Sequence, residues 1–207
     1  MSTHVILVRH GETVWHAENR YAGGTDVALT ARGHAQAEAL ADWAEQAELA
    51  AIWASPLTRS RETAQPGAAR TGLPVRVDRR LRELDFGVAE GLTRAEMRRR
   101  FPDDLAAFQH DPVAHHFPEG ENPVDAGDRY LAFLADLRAH HPDGRVLVVG
   151  HSTAIRLALC RLLGLPPREY RRIFPYLDNC ALTEVVLRDG VSSLLTLNRP
   201  VTPGALK

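Results

Sequence analysis

The segment HVILVRHGET (residues 4–13) carries the pattern that decides the fold. Residues 5–8 are continuously apolar, which is typical of a strand buried on both faces of a parallel sheet. Arg9, His10 and Gly11 follow this run at once, with no apolar residue between them. Reactive polar side chains directly after a buried strand predict a site at the carboxyl end of that strand.

Two later segments repeat this plan of apolar strand, polar residues and helix. The run AAIWAS leads to Arg59, and the run RVLVVG leads to His151 and Ser152. If the three strands are parallel neighbours, two arginines and two histidines meet at one edge of the sheet. Helices that begin near Arg59 and after His151 would add backbone N–H groups. The pattern predicts an anion site, and a phosphoryl group suits its arginines.

The remaining periodicity alternates between helix and strand. One helix is expected from Ala31 to about Ala47 with Thr30 as N-cap, and a second from near Thr58 until Pro66 disturbs it. Another should follow His151 with Ser152 as cap. Further helices are expected over 93–101, 103–109 and 126–141. Strands are expected over 73–78 and in a final hairpin over 181–198 that turns at Asp189-Gly190. The order predicts one α/β domain over residues 1–207, a three-layer α/β/α sandwich with a mostly parallel sheet and helices on both faces. A small helical or loop lid is expected at about 90–122.

The composition is that of an ordinary globular protein. The 207 residues are 44% hydrophobic and 25% charged, with a formal net charge of −1, so bulk charge indicates neither a nucleic-acid nor a membrane surface. The apolar runs are shorter than the roughly 20 residues that span a bilayer, and we find no secretion signal. Cys160 and Cys180 form neither a metal-site spacing nor a disulfide framework. A cytoplasmic protein is expected.

Four blocks of the chain resemble the histidine phosphatase superfamily, also called the phosphoglycerate mutase-like family. They are LVRHGET (7–13), SPLTRSRETA (55–64), LRELDFGVAEG (81–91) and VVGHS (148–152). Their order and approximate spacing agree with the family, and the resemblance covers nearly the whole chain. A lone RHG occurs by chance, whereas four ordered blocks are specific.

The resemblance implies a role for each residue of the predicted site. His10 would be the nucleophile that becomes a phosphohistidine, and Glu83 the proton donor of the smaller phosphatase branch. The residues assigned to catalysis are Arg9, His10, Arg59, Glu83 and His151, and those assigned to substrate binding are Arg9, Gly11, Thr13, His16, Gly23, Arg59, His151 and Ser152.

The chemistry sets requirements for these groups. His10 must be neutral to attack, so we expect a backbone carbonyl at its other ring nitrogen to fix the tautomer. Two arginines and a protonated His151 would stabilise the charge on the phosphoryl oxygens. Glu83 would protonate the leaving alkoxide and then activate water. This scheme requires neither a metal nor a cofactor.

Several assignments have a structural alternative. Glu90 and Asp85 share the acid block with Glu83, and a carboxylate here could instead pair with Arg82. Thr13 would contact phosphate or only shape its loop, and Ser152 is more readily a helix cap. The histidine pairs at 115–116 and 140–141 are expected at the surface rather than at a metal, although the first could line the substrate entrance.

The chain also departs from the family pattern. His16 stands where an asparagine that helps hold phosphate is usual, and a histidine can still donate a hydrogen bond there. Ala22 and Ala28 replace a glutamine and a proline, and Ser152 stands where many relatives have glycine.

The sequence predicts a phosphomonoesterase that hydrolyses a small phosphorylated metabolite through phospho-His10. One alternative is a mutase-type phosphotransferase, although the block RELDFG lacks the histidine-tyrosine pair of the cofactor-dependent mutases. Another is an inactive phospho-ligand binding module, which would need neither His10 nor Glu83. Substrate choice is expected to depend on residues 90–122. The sequence leaves open whether the chain forms a homodimer.

Overall fold

A central sheet of six strands organises the computed structural model, which describes residues 2–201. The strands are β1 Thr3–Arg9, β2 Ala51–Ala54, β3 Val75–Val77, β4 Arg145–Gly150, β5 Leu182–Arg188 and β6 Val191–Arg199. Their order is β3-β2-β4-β1-β5-β6, in which β1 to β4 pair in parallel and β5 and β6 are antiparallel. The predicted mostly parallel sheet is confirmed, and the final hairpin forms its antiparallel edge.

Helices cover both faces of this sheet. They are α1 Ala31–Glu45, α2 Thr58–Thr71, α3 Arg94–Arg100, α4 Pro102–His110, α5 Pro123–His140, α6 Ser152–Leu162 and α7 Tyr170–Ile173. Ile6 of β1 belongs to the core cluster that contains the buried faces of α1 and α2, whereas Val5 and Leu7 belong to the cluster under α5 and α6. Because successive strand residues face opposite ways, a strand between two helical layers is apolar throughout.

The parallel pairing brings the predicted strand ends together. Arg9 at the end of β1 lies opposite Gly150 at the end of β4. His10 and His151 are the next residues along each strand, so they leave the sheet at the same edge. Ser55 follows β2, which pairs with the other side of β4. This is the carboxyl edge, where ligands bind in open α/β sheets.

The predicted end of α2 at Pro66 is wrong. The helix continues past Pro66 to Thr71 and is capped by Gly72 in a left-handed conformation. Gly67 packs so closely on α1 that a Cβ atom there would lie 3.4 Å from the side chain of Ala44. Burial against α1 therefore outweighs the one hydrogen bond that the proline ring removes.

The segment 90–122 is packed into the core. It contains α3, α4 and a loop, and Phe117 from that loop stacks on Phe108 of α4 with ring centroids 4.2 Å apart. Met97 and Leu105 are also buried there. Within the part of the chain that the structure describes, no helix is long and apolar enough to cross a membrane.

Candidate active site

Two buried histidines lie side by side beyond the ends of β1 and β4. The ring centroids of His10 and His151 are 5.1 Å apart, and these residues are 6% and 0% exposed. Nδ1 of His10 lies 2.7 Å from the carbonyl oxygen of Gly11, which can only accept a hydrogen bond. Nδ1 therefore carries the proton and Nε2 keeps its lone pair, as the sequence predicts for a nucleophile.

The surroundings of His10 keep it neutral. Burial lowers the pKa of His10 well below its usual value of 6.5, and the positive charges of Arg59 and Arg9 lower it further. Nε of Arg59 donates to Nε2 of His10 at 3.3 Å. The Arg59 guanidinium is itself held by the carbonyl oxygens of Thr25 at 2.7 Å and Gly23 at 2.8 Å.

His151 is oriented by a serine from the neighbouring strand. Its Nε2 lies 2.7 Å from Oγ of Ser55, while its Nδ1 is buried without a hydrogen-bond partner among residues 2–201. Burial lowers the pKa of His151 well below its usual value, with Arg59 and His10 adding to the effect. Burial and the nearby positive charge favour the neutral ring, so the expected protonated His151 requires the compensating charge of a phosphoryl group and stays a prediction.

Glu83 reaches the site at the start of α6. Its Oε1 accepts hydrogen bonds from the backbone N–H groups of Leu84 and Ala154, both at 2.8 Å, and its Oε2 accepts one from Thr153 at 3.0 Å. Glu83 thus caps α6, and the predicted cap Ser152 is wrong. Within the described range 2–201, Oε2 accepts only this one hydrogen bond, so it has a position left at which it can carry a proton.

The other carboxylates of the acid block have structural roles. Glu90 accepts hydrogen bonds from backbone N–H groups of the loop before α1. Asp85 accepts one from the backbone two residues further on. Arg82 pairs with Glu121 at 3.0 Å rather than with a carboxylate of its own block. Of these carboxylates only Glu83 lines the cavity described below.

The helix N-termini contribute less to anion binding than the sequence predicts. Asp26 accepts hydrogen bonds from the backbone N–H and the hydroxyl of Thr58, at 2.8 and 2.5 Å, at the start of α2. At the start of α6, Glu83 accepts hydrogen bonds from the backbone N–H groups of Thr153 and Ala154. Because the chain's own carboxylates occupy these donors, the positive character of the site comes mainly from side chains.

Arg9 and His16 meet at short range. Nη1 of Arg9 donates to the carbonyl oxygen of Leu177 at 2.7 Å, and its Nη2 lies 2.5 Å from Nε2 of His16. A donor also faces the other ring nitrogen, because the backbone N–H of Thr13 lies 2.9 Å from Nδ1 of His16, and Nδ2 of Asn179 lies 3.4 Å from its Nε2. The neutral ring carries one proton, on Nδ1 or on Nε2, and at either position that proton opposes a donor. Burial lowers the pKa of Arg9 to about 10, and burial followed by the Arg9 charge lowers that of His16 to about 4.

The remaining predicted contacts fall into two groups. Thr13, His16 and Ser152 line the cavity. Gly23 does not line it, because its N–H donates to both carboxylate oxygens of Glu90 at 3.0 and 2.9 Å.

Gly11 is constrained by packing. Its N–H donates to Oγ1 of Thr63 at 2.9 Å. A Cβ atom on Gly11 would lie 2.5 Å from the carbonyl oxygen of Gly33 in α1, so any larger residue would push the loop away. Close approach to α1 is what requires glycine at this position.

A cavity of about 540 Å³ extends outward from His10. The sequence analysis missed much of its lining, namely Trp15, Asn19, Arg20, Tyr21, Phe86, Arg94, Thr153, Arg156 and Arg171. Within 90–122 only Arg94 lines the cavity, so the expectation that His115 and His116 face the substrate entrance is wrong. The buried Phe117 holds that loop against the core. Among the described residues, no group of three His, Cys, Asp or Glu side chains could hold a metal ion.

Arg129 of α5, which the sequence analysis also missed, fastens the segment that carries Glu83. Its Nη1 donates to the carbonyl oxygens of Arg80 at 2.5 Å and Arg82 at 2.8 Å, and its Nη2 to that of Glu83 at 3.1 Å. The same guanidinium also binds the carboxylate of Glu121. No local signal marks it, because one arginine on an amphipathic helix resembles any solvated residue.

Comparison with known proteins decides the family. Residues 5–200 match the family model of the histidine phosphatase superfamily (branch 1). The chain belongs to this superfamily. The match confirms the family that the four sequence blocks indicate.

This histidine phosphatase has relatives with different names. It is 31% identical over 194 residues to phosphoserine phosphatase 1 of Hydrogenobacter thermophilus, across 94% of this chain and 91% of the relative. It is 36% identical over 187 residues to a protein of Escherichia coli O1:K1 named "Probable phosphoglycerate mutase GpmB", across 90% and 86%. The solved mycobacterial glucosyl-3-phosphoglycerate phosphatase matches with a TM-score of 0.87 at 29% identity, across 96% of this chain and all of that one.

Proposed function

We propose that this histidine phosphatase is a metal-independent phosphomonoesterase that hydrolyses a small phosphorylated metabolite through a phosphohistidine on His10. The observation that carries the proposal is the hydrogen bond from Nδ1 of His10 to Gly11, which leaves Nε2 as a buried, neutral nucleophile. The same cavity presents Arg9 as a cation and Glu83 as an acid.

The transferred phosphoryl group binds to donors that lack a partner within the protein. Nε of Arg9 and Nδ1 of His151 are buried without hydrogen-bond partners among residues 2–201. A phosphoryl oxygen supplies the acceptor that each requires, and its charge favours the protonated form of His151. An oxygen that enters between Arg9 and His16 accepts from Arg9, and it accepts from Nε2 of His16 in the tautomer that carries the proton there. Arg59, whose guanidinium already binds His10 and the carbonyl oxygens of Thr25 and Gly23, adds its positive charge beside Nε2 of His10.

The reaction then proceeds in two steps. Nε2 of His10 attacks phosphorus, the bond from phosphorus to the ester oxygen breaks, and the leaving oxygen takes a proton from Oε2 of Glu83. In the second step Glu83 takes a proton from water as the water oxygen attacks phosphorus. The bond from phosphorus to His10 breaks, inorganic phosphate leaves, and both residues return to their starting states.

A mutase is the second candidate, and the match to a protein with a mutase name favours it. We prefer hydrolysis because a mutase must keep water from the phosphohistidine, and the cavity of about 540 Å³ leaves room for water beside a small substrate. An inactive binding module fits less well, since binding alone requires neither the nucleophilic tautomer of His10 nor the buried carboxylate of Glu83.

The products distinguish the two enzymes. Purified protein should release free phosphate from 3-phosphoglycerate and from a generic aryl ester, with or without added 2,3-bisphosphoglycerate. The His10→Ala variant is the control for contaminating activity, and EDTA should not slow the reaction. Efficient formation of 2-phosphoglycerate with little free phosphate would identify a mutase.

The proposal extends to organisation and setting. We take residues 1–207 as one catalytic domain in which the segment 90–122 covers part of the cavity, supported by the position of Arg94. A cytoplasmic enzyme that binds a small molecule, and neither nucleic acid nor membrane, agrees with the net charge of −1.

A homodimer through the edge strand β6 is supported by the exposure of Val191, Leu195 and Leu197. Sedimentation equilibrium tests it against the chain mass of 22.9 kDa.

A further inference from the structure

The cavity contains more positive charge than a phosphate monoester requires. Among residues 2–201, five arginines line it, namely Arg9, Arg20, Arg94, Arg156 and Arg171, and Glu83 is the one carboxylate side chain that does so. Arg20 is neutralised by Glu18 at 2.7 Å and Glu96 at 2.8 Å. Within residues 2–201, none of the other four forms a salt bridge to a carboxylate. Arg9 serves the reacting phosphate, so three cations remain unassigned.

Arg156 of α6 is the most informative of the three. It is 8% exposed, yet all its polar contacts are neutral. Nε donates to the carbonyl oxygen of Ser152 at 3.1 Å, Nη1 to that of Phe174 at 3.1 Å, and the guanidinium lies 5.0 Å from the ring centroid of Tyr170. In the described part of the chain, Nη2 has no hydrogen-bond partner. A buried charge is costly unless it is paired, which points to an anion from outside the chain.

Arg171 of α7 contacts the same aromatic ring. Its guanidinium is 5.9 Å from the ring centroid of Tyr170 and 5.5 Å from that of Phe108. Its Nη1 also donates to the hydroxyl oxygen of Tyr170 at 3.5 Å. The ring contacts and this hydrogen bond fix the guanidinium, and its other N–H groups remain available to a ligand. Tyr21 and Phe86, whose rings meet at 4.9 Å, line the same cavity and offer an apolar wall to a carbon skeleton.

We propose that the substrate is a phosphate ester with a second anionic group, a carboxylate or another phosphate, which Arg156 and Arg171 bind while the reacting phosphate lies at His10. This inference rests on the proposed phosphatase function and deepens it. Arginine binds a carboxylate or a phosphate through paired N–H groups, so the geometry indicates a second negative charge on the substrate. The experiment below determines whether a carboxylate or a phosphate carries that charge.

Matched pairs of substrates test the proposal. Phosphoserine is compared with phosphoethanolamine, which lacks only the carboxylate, and 3-phosphoglycerate with glycerol 3-phosphate, in which an uncharged hydroxymethyl group replaces the carboxylate. Fructose 1,6-bisphosphate and fructose 6-phosphate form the corresponding pair for a second phosphate. The wild type should prefer the member with the second anion by about 10- to 100-fold in kcat/KM in at least one pair, the range expected of charge-assisted hydrogen bonds.

Arginine variants connect this preference to the proposed subsite. Arg171→Gln should reduce the preference by about tenfold or more while changing kcat/KM for the singly anionic member little. Arg156→Lys keeps the charge but removes the paired N–H groups, so it should reduce the preference in part. Arg172→Gln is the matched control, because this exposed neighbour on α7 pairs with Glu169 and does not line the cavity.

Two results would overturn the inference. One is a wild-type preference close to one in all three pairs, and the other is an Arg171→Gln variant that slows both members of a pair equally. Failure of the proposed function gives a different result, namely no hydrolysis of any ester. In that case ligand binding tests the subsite. Phosphoglycolate should raise the melting temperature of the wild type more than ethyl phosphate does. Equal stabilisation by the two would contradict the subsite.

Discussion

At the scale of single residues, the site depends on where protons are held. The carbonyl of Gly11 fixes the proton of His10 on Nδ1, and burial with Arg59 and Arg9 keeps the ring neutral. His151 is also neutral in this structure, which leaves it able to become charged only when an anion compensates. The positive charge of the phosphate site therefore comes from the arginines. His10 remains available to form the bond to phosphorus, and His151 to take up a proton when an anion binds.

His16 provides a prediction at this scale. Its Nε2 lies 2.5 Å from Nη2 of Arg9 at the place where the family pattern has an asparagine, and we expect the tautomer with the proton on Nε2 to donate to a phosphoryl oxygen. His16→Asn should keep most activity, because it restores a donor. His16→Ala should raise KM by about 10- to 100-fold, corresponding to one charge-assisted hydrogen bond of about 1.5–3 kcal/mol. Steady-state kinetics with His115→Ala as control measure this, and unchanged kinetics in His16→Ala would make His16 a bystander.

At the scale of secondary-structure elements, the acid is positioned by two helices. The N-terminus of α6 orients both oxygens of Glu83 through the N–H groups of Thr153 and Ala154. Arg129 of α5 holds the main chain of the same segment from behind. The carboxylate thus has one orientation relative to the histidines, although it lies on a connection without regular structure.

Arg129→Met tests this arrangement. The variant keeps the apolar stem but loses the hydrogen bonds to the segment 80–83, so proton donation to a poor leaving group should suffer. We expect kcat for an alkyl phosphate to fall by about tenfold or more, a part of the 100- to 10,000-fold that general acids contribute. An aryl phosphate, whose leaving group needs little protonation, should react nearly as before.

Arg138→Met is the control on the same helix, because Arg138 pairs with Asp189 and does not line the cavity. Equal losses for the alkyl and aryl esters in Arg129→Met would show that Arg129 only stabilises the fold.

At the scale of the whole molecule, the sequence predicts the structural elements that a local pattern of residues determines. The apolar runs of β1 and β4 and the turn at Asp189-Gly190 are local signals, and the structure contains each of them. The passage of α2 beyond Pro66 depends on packing against α1, which no local pattern encodes. Arg129 and Arg171 were missed for the same reason, since folding alone brings them to a site whose four motifs lie elsewhere in the chain. Arg156 lies one helical turn after the VVGHS motif, but nothing in the local pattern distinguishes it from a solvated arginine of α6.

The buried histidines also predict how stability varies with pH. The pKa values of His10 and His151 are lowered in the folded protein, so below about pH 6.5 the unfolded chain binds protons that the folded chain does not. The free energy of unfolding should therefore decrease as pH falls from 7 to 5, by up to about 1.4 kcal/mol per pH unit for each histidine. Urea unfolding at pH 7, 6 and 5 measures this. His151→Gln should show a shallower dependence, and an unchanged dependence would contradict the account.

The central claim is that His10 is the group that carries the phosphoryl intermediate, and direct isolation of that intermediate is its sharpest test. Wild-type enzyme is mixed with a ³²P-labelled phosphate ester, quenched within milliseconds in denaturant at alkaline pH, and digested for peptide mapping. The account predicts one labelled peptide containing His10, stable in base and labile in acid, and no label in His10→Ala. Label on a serine or an aspartate, or full turnover by His10→Ala, would contradict it.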